Sequence, residues 1–330
     1  MSRPVRSLFA ALSVLAATPA LAVAPAASAP YATLAALEAR VAAIGFRLTT
    51  ANAGWCPAVQ PQFGWLWGDL RLYGERDRAA ASTTYRVGGA EAPFIAAITP
   101  GSPAAVAGLD VGAPILAING APLPAQPGDD PFARITALEI QLAAFPPETP
   151  VNITTGDNRT VRVVPVAGCA SDFRVEDRKQ VAGAADGRLV LTNAGLAGFA
   201  ADDNELAAAV AHELAHNILQ HRARLDAAGV DRGLGKQFGR SARLFRQTEV
   251  EADRLSVWLM QGAGYDIDAA VRFWRAYGKQ GGPVLFQAGT HPRWKARVES
   301  VEAEIAAIRS AQAAGTPLTP PLIGAPPPLE

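Results

Sequence analysis

His212-Glu213-Leu214-Ala215-His216 is the segment whose residue types and spacing most directly allow chemistry. Two histidines four apart share one face of a helix, a single turn apart. Their imidazole nitrogens can therefore reach one zinc ion. Glu213 sits beside the first histidine and can reach a water rather than the metal. Taken alone, the pattern also suits a surface helix with two ordinary histidines. The neighbours argue for burial: Leu206, Ala209, Val210, Ala211, Leu214, Ala215, Ile218 and Leu219 make the helix almost wholly apolar. Imidazoles and a carboxylate buried in such a helix demand partners. A third ligand must come from elsewhere, and Thr248-Glu249-Val250-Glu251-Ala252-Asp253 offers one. Glu249 and Asp253 share a helix face, while Glu251 points to nearly the opposite side. Glu249 is expected on the metal, and Asp253 behind it, accepting the free N–H of a ligand histidine. Glu251 is expected on a solvated face. His221, by its spacing, is expected to face away from the site.

The elements that must position these residues are legible in outline. Asp202 or Asp203 can cap a helix running to about His221. Arg188-Leu189-Val190-Leu191-Thr192 reads as a strand after the turn Asp186-Gly187, with an exposed edge able to pair with an extended substrate. A Gly-rich connector covers 229–239. Helices follow over about 245–262, from Asp266 or Asp268 to near Gly278, and over about 293–309. Before all of these, 31–44 has helical periodicity through Leu34, Leu37, Val41 and Ile44, with Gly45 as its end.

The 330 residues are enough for two domains with cores of their own. Apolar residues at 49 % against 18 % charged ones give a globular balance rather than a disordered one. A formal net charge of zero gives no reason to expect nucleic acid as partner. Arg3 and Arg6, the apolar run 8–17 and Ala20-Leu21-Ala22 read as a secretory leader over 1–22, with Ala27-Ser28-Ala29 as a second cut. The expected location is exported, periplasmic or secreted, with membrane association if the leader stays on. No later run is long enough to span a membrane, so no stable transmembrane segment is expected after its removal. Two cysteines, Cys56 and Cys169, are expected to bridge in an oxidising compartment rather than remain as two buried thiols.

Residues 93–166 have a different texture, of short strands and turns. Phe94-Ile95-Ala96-Ala97-Ile98 is a strand, Pro100-Gly101-Ser102-Pro103 a turn, and Ile115-Leu116-Ala117-Ile118 a strand closed by the hairpin pair Asn119-Gly120. A helix is expected over 131–145, then strands over 151–154 and 161–166. The run Ile98-Thr99-Pro100-Gly101-Ser102-Pro103-Ala104-Ala105, with Ala107-Gly108-Leu109, Gly112 and 115–120, resembles a PDZ domain of the bacterial protease-associated kind. That resemblance implies a groove between a strand and the helix from Pro131, taking a C-terminal peptide by strand addition. Phe63-Gly64-Trp65-Leu66 is the segment that would hold the peptide's carboxylate. The alternative is a PDZ-shaped spacer whose groove is closed. Cys56 and Cys169 flank this segment, so a bridge between them would clamp the base of an inserted domain.

Four blocks beyond Cys169 resemble the zinc metallopeptidases of the HtpX and CAAX-protease type, in their soluble periplasmic branch. They are 184–196, Asp203-Asn204-Glu205 running into His212-Glu213-Leu214-Ala215-His216, Glu249-Val250-Glu251-Ala252-Asp253-Arg254, and Thr290-His291-Pro292 with Arg297. The resemblance implies one Zn²⁺ held by His212, His216 and Glu249, with Glu213 as catalytic base. His291 would stabilise the oxyanion or take the open metal position, unless it is only a turn residue before Pro292. The short connector between His216 and Glu249 departs from many relatives and leaves a substrate lid without support.

The expected architecture is α+β: a mainly helical zincin peptidase domain of the gluzincin type with a small β-rich PDZ domain. The division is leader 1–22, N-terminal helix and linker 23–59 packing on the peptidase domain, PDZ 60–168, peptidase 169–311, and a Pro-rich disordered tail 312–330. The expected function is zinc-dependent endopeptidase cleavage of exported or misfolded polypeptides. The alternative is a PDZ-based peptide-binding or chaperone-like protein with an inactive or self-inhibited metal site.

Overall fold

The computed structural model describes residues 31–88, 91–123, 130, 132–230, 239–280, 292–324 and 326–330. The expected leader, most of the Gly-rich connector, Pro131 and His291 lie outside the described residues. Two main apolar cores organise the rest. One joins Val41, Leu48, Leu206, Val210, Leu214, Leu255, Leu259, Phe273 and Val301. The other joins Ile95, Ile115, Ile118, Leu138, Leu142, Ile153 and Val163. They correspond to a helical domain and a small β-rich one, the α+β arrangement expected.

The helical core begins with α1 (Ala32–Ala51). It runs past Gly45, the expected stop, because Gly45 is where the ring of Phe173 presses on the helix: a Cβ there would lie 2.7 Å from that ring. The chain then enters the β-rich unit through β1 (Val59–Gln62) and β2 (Trp65–Gly68). Next come α2 (Arg78–Tyr85), β3 (Phe94–Ile98), the single turn α3 (Pro103–Val106), β4 (Ile115–Ile118) and β5 (Ala121–Pro122). Helix α4 (Ala133–Ala143), β6 (Val151–Thr155), β7 (Thr160–Val163) and β8 (Val166–Cys169) complete it. The sheet order is β5-β4-β6-β7, and a bridge from Phe94 to Pro114 joins it to the pair β2-β3. Ser102 caps α3, its hydroxyl accepting from Ala105 N–H, which accounts for the Gly-Ser-Pro turn in the sequence.

The two ends of this unit meet. β1 pairs antiparallel with β8, and Cys56 is bonded to Cys169 across 113 residues, with Cα atoms 5.4 Å apart. Closing so long a loop contributes roughly 4–5 kcal/mol on chain-entropy arguments.

The groove between β2 and α4 is closed. Its remaining space is about 40 Å³, walled on the third side by Ala42 and Phe46 of α1 and by Ser171, Asp172 and Phe173. A strand of peptide does not fit there, so the expected C-terminal peptide site is not available in this conformation. The physical reason is intramolecular. Glu139 of α4 is buried and ion-paired with Arg174 and Arg188 from the neighbouring sheet. Arg174 also donates to Thr136 at 2.9 Å.

Beyond Cys169 the chain forms β9 (Asp172–Glu176), β10 (Gly183–Ala185) and β11 (Leu189–Asn193). The order is β10-β11-β9. The strand expected to offer its edge to substrate, β11, is therefore the middle strand, and β10 holds the outer position. Helices α5 (Ala194–Phe199), α6 (Asp203–Ile218), α7 (His221–Ala227), α8 (Gly239–Gly262), α9 (Asp268–Gln280) and α10 (Trp294–Ala313) follow. No helix among the described residues is long and apolar enough to cross a membrane.

The tail corrects another expectation. Leu322 is buried in the helical core, and Leu329 packs on a cluster of Leu225, Val230 and Leu244. Pro327 and Pro328 accept hydrogen bonds from Arg224 and Gln247 at 2.6 and 2.8 Å. Prolines cost little ordering entropy, and two leucines with backbone hydrogen bonds at Pro327, Pro328 and Glu330 are enough to dock the segment.

Candidate metal centre

Helix α6 carries the first ligand pair through the middle of the core. Asp202 is its N-cap, accepting from Glu205 N–H at 2.9 Å, while Glu205 reaches back to Ala201 N–H at 3.1 Å. Acidic residues in the first turn favour the positive end of the helix. The apolar surround fixes α6 in rotation, so His212, Glu213 and His216 emerge into a cleft of about 420 Å³. The edge strand β10 forms its opposite wall, and Phe245, Trp274 and Tyr277 line its sides. Asn217 ties strand wall to helix: its Oδ1 accepts from Gly187 N–H at 2.8 Å, and its Nδ2 donates to Ser171 at 3.0 Å.

Helix α8 brings Glu249 to the same point. His212 Nε2 and His216 Nε2 lie 3.2 Å apart. Glu249 Oε2 is 3.4 Å from the first and its Oε1 3.5 Å from the second. A tetrahedral ion with bonds of about 2.0–2.1 Å sets its ligands roughly 3.3–3.4 Å apart. Two imidazoles and a carboxylate at these separations form a candidate metal site, and the donor set suits a zinc-like ion.

Support behind the ligands is unequal in kind. Asp253 Oδ1 lies 3.0 Å from His212 Nδ1, and Asp253 is fully buried. Arg297 of α10 grips both oxygens of Asp253, at 2.8 and 2.6 Å, and stacks on Trp274 at 3.5 Å. Burial alone would lower the pKa of His212, but hydrogen bonds to Asp253 and Glu249 hold it up at about 9. Burial takes His216 well below the usual imidazole range. Glu213 is pushed up to about 7, chiefly by burial, with His212 opposing. A carboxyl with a pKa near 7 is poised to accept and return a proton at neutral pH.

Gly183 explains how closely the strand approaches the base. A Cβ at this position would lie 2.8 Å from Glu213 Oε1. Only a glycine lets the β10 backbone pass at that distance without displacing the carboxylate.

Two residues depart from their expected places. His221 is buried, with its Nδ1 2.9 Å from His216 Nδ1. In an unbroken helix it would point away. Instead α6 ends at Ile218, Gln220 takes a left-handed conformation with φ of 51°, and α7 starts at His221 itself. Glu251 is buried rather than solvated, because α7 covers its side of α8. Its carboxylate meets His221 Nε2 at 3.1 Å, Arg224 at 2.6 Å and Gln247 at 3.0 Å. No signal in the residue types marks Gln220 as a break. His291 lies outside the described residues.

The Peptidase family M48 profile matches residues 233–305, which include Glu249, Asp253 and Arg297. The PDZ domain profile matches residues 74–144. Residues 233–305 thus resemble Peptidase family M48 and residues 74–144 a PDZ domain. It is also similar to the mitochondrial metalloendopeptidase OMA1 of Schizosaccharomyces pombe, 31 % identical over 122 residues. That match covers 30 % of this chain and 36 % of the relative, so the chain spans about a third of the length of the curated relative it matches.

Proposed function

We propose that the chain is a zinc-dependent metalloendopeptidase that cleaves polypeptides of an exported compartment, misfolded ones in particular. The observation that carries this reading is the triangle of His212 Nε2, His216 Nε2 and Glu249, with Glu213 beside it in an open cleft. When bound, the ion serves as a Lewis acid that polarises a peptide carbonyl and makes a water easier to deprotonate. Glu213 takes the proton of the attacking water and returns it to the leaving amine. The outer strand β10 lines the cleft and gives an extended substrate backbone a partner for strand addition. Asp253, clamped by Arg297, keeps His212 in the tautomer that leaves Nε2 free. His291 is proposed either to stabilise the oxyanion or to occupy the open metal position. Its replacement by Ala lowers kcat in the first case, and raises activity in the second.

The exported location rests on the leader-like residues 1–22 and on the Cys56–Cys169 bridge, which oxidising compartments favour. The domain division 23–59, 60–168 and 169–311 is supported by the pairing of β1 with β8 and by α1 packing into the helical core. A protein that only captures peptides through its PDZ unit is a weaker reading, because the groove is filled by the chain itself.

Digestion of casein by the zinc-loaded protein tests the proposal. Glu213→Gln is expected to lose cleavage by at least about 10³-fold while retaining zinc, since the variant keeps the ligands and loses the base. Undiminished cleavage by this variant overturns the mechanism.

A further inference from the structure

The two histidine ligands are held by different devices, and one of them extends beyond the residues already assigned. His212 has a carboxylate directly on Nδ1. Among the described residues His216 has no carboxylate on Nδ1: that atom meets the Nδ1 of His221 at 2.9 Å. Two imidazole nitrogens this close share one proton, and which ring supplies it decides whether His216 can bind a metal.

We propose that His221, backed by Glu251, is a positioning residue that sets the tautomer and ring orientation of His216. The direction of the chain follows from donors and acceptors. Glu251 is gripped by Arg224 and Gln247, so it stays a carboxylate and only accepts. His221 Nε2, 3.1 Å from it, must carry the proton. A neutral His221 then has a bare Nδ1 and can only accept there. His216 must donate from Nδ1, which leaves its Nε2 bare and aimed at His212 Nε2 and Glu249. Glu251 thus does for His216, through one intervening ring, what Asp253 does for His212 directly.

The inference rests on the reading of His212, His216 and Glu249 as a metal site, and the test separates the two. Zinc affinity is measured by competition with a chromophoric chelator for wild type, His221→Phe, His221→Asn and Glu251→Gln. Wild type that fails to bind zinc sinks the metal-site reading itself. With wild type binding, His221→Phe is expected to weaken zinc about 10–100-fold. His221→Asn, whose amide oxygen can still accept from His216 Nδ1, should recover most of that loss. Glu251→Gln should fall between. Equal affinity in wild type and His221→Phe overturns the proposal, as does failure of Asn to perform better than Phe. A second readout needs no variant. In the metal-free wild-type protein, ¹⁵N chemical shifts should show His216 protonated on Nδ1 and bare on Nε2; the opposite tautomer contradicts the proposal even if the variants fold poorly.

Discussion

The molecule has two clefts built from the same parts, an outer strand facing a helix, and they end in opposite states. Between β10 and α6 the space is about 420 Å³; between β2 and α4 it is about 40 Å³. The difference lies in the third wall. In the first cleft the charged groups satisfy one another: His212 with Asp253, Asp253 with Arg297. In the second, Glu139 of α4 is answered by Arg174 of β9 and by Arg188 just before β11, and Phe46 and Phe173 cover the apolar surface. In the second cleft the partners of the buried charge come from the facing sheet and the segment before it, and so hold that sheet against the helix. In this conformation the PDZ-like unit packs against the helical domain.

The sharpest test within the open cleft is Gly183→Val. The added side chain must enter the space of Glu213 Oε1 and cover the strand proposed to pair with substrate. The expected effect is a fall in kcat/KM of about 100-fold with little change in zinc content or melting temperature. Unchanged kinetics would remove β10 from the substrate path.

The closed groove is challenged by Glu139→Lys. It breaks two buried ion pairs and faces a new cation toward Arg174 and Arg188, which should cost about 3 kcal/mol in urea unfolding. If the ion pairs keep the groove shut, saturable binding of an apolar C-terminal peptide appears in the variant and is absent in wild type. Binding in wild type would mean that the groove opens readily.

A smaller effect concerns the contact between the two units. Tyr85 of α2 donates to Glu38 of α1 at 2.6 Å, and burial pushes the Glu38 carboxyl up to about 7. A carboxyl whose folded pKa is raised is protonated more readily in the native state. Its effect on stability is therefore absent below about pH 4.5, and a penalty grows as pH rises through 7. Glu38→Gln should be nearly neutral at pH 4 and stabilising by about 3 kcal/mol at pH 8. A gain of the same size at both pH values would contradict this assignment.

What could be read from the sequence follows from the range of the interactions. His212, Glu213 and His216 lie within two helical turns, and Glu249 with Asp253 repeats the same local spacing, so their shared faces needed no tertiary knowledge. The PDZ unit was legible because its turns demand particular residues, such as Ser102 and Pro103 opening α3. The order β10-β11-β9 was not legible, since it depends on a parallel pairing between residues brought together across a loop. His221 and Glu251 were misplaced for one reason: the helix breaks at Gln220, and α7 then folds back over α8. The prolines of the tail suggest disorder, whereas Leu322 and Leu329 find sites that only the folded surface provides.

The central claim is that His212, His216 and Glu249 form one zinc site. X-ray absorption at the zinc edge on protein purified without added metal tests it most directly. The account predicts about one zinc per chain, with two imidazole nitrogens and a carboxylate oxygen at about 2.0–2.1 Å, and loss of that signal in His216→Ala. Stoichiometric zinc that persists unchanged in His216→Ala, or wild-type protein that takes up none, would contradict it.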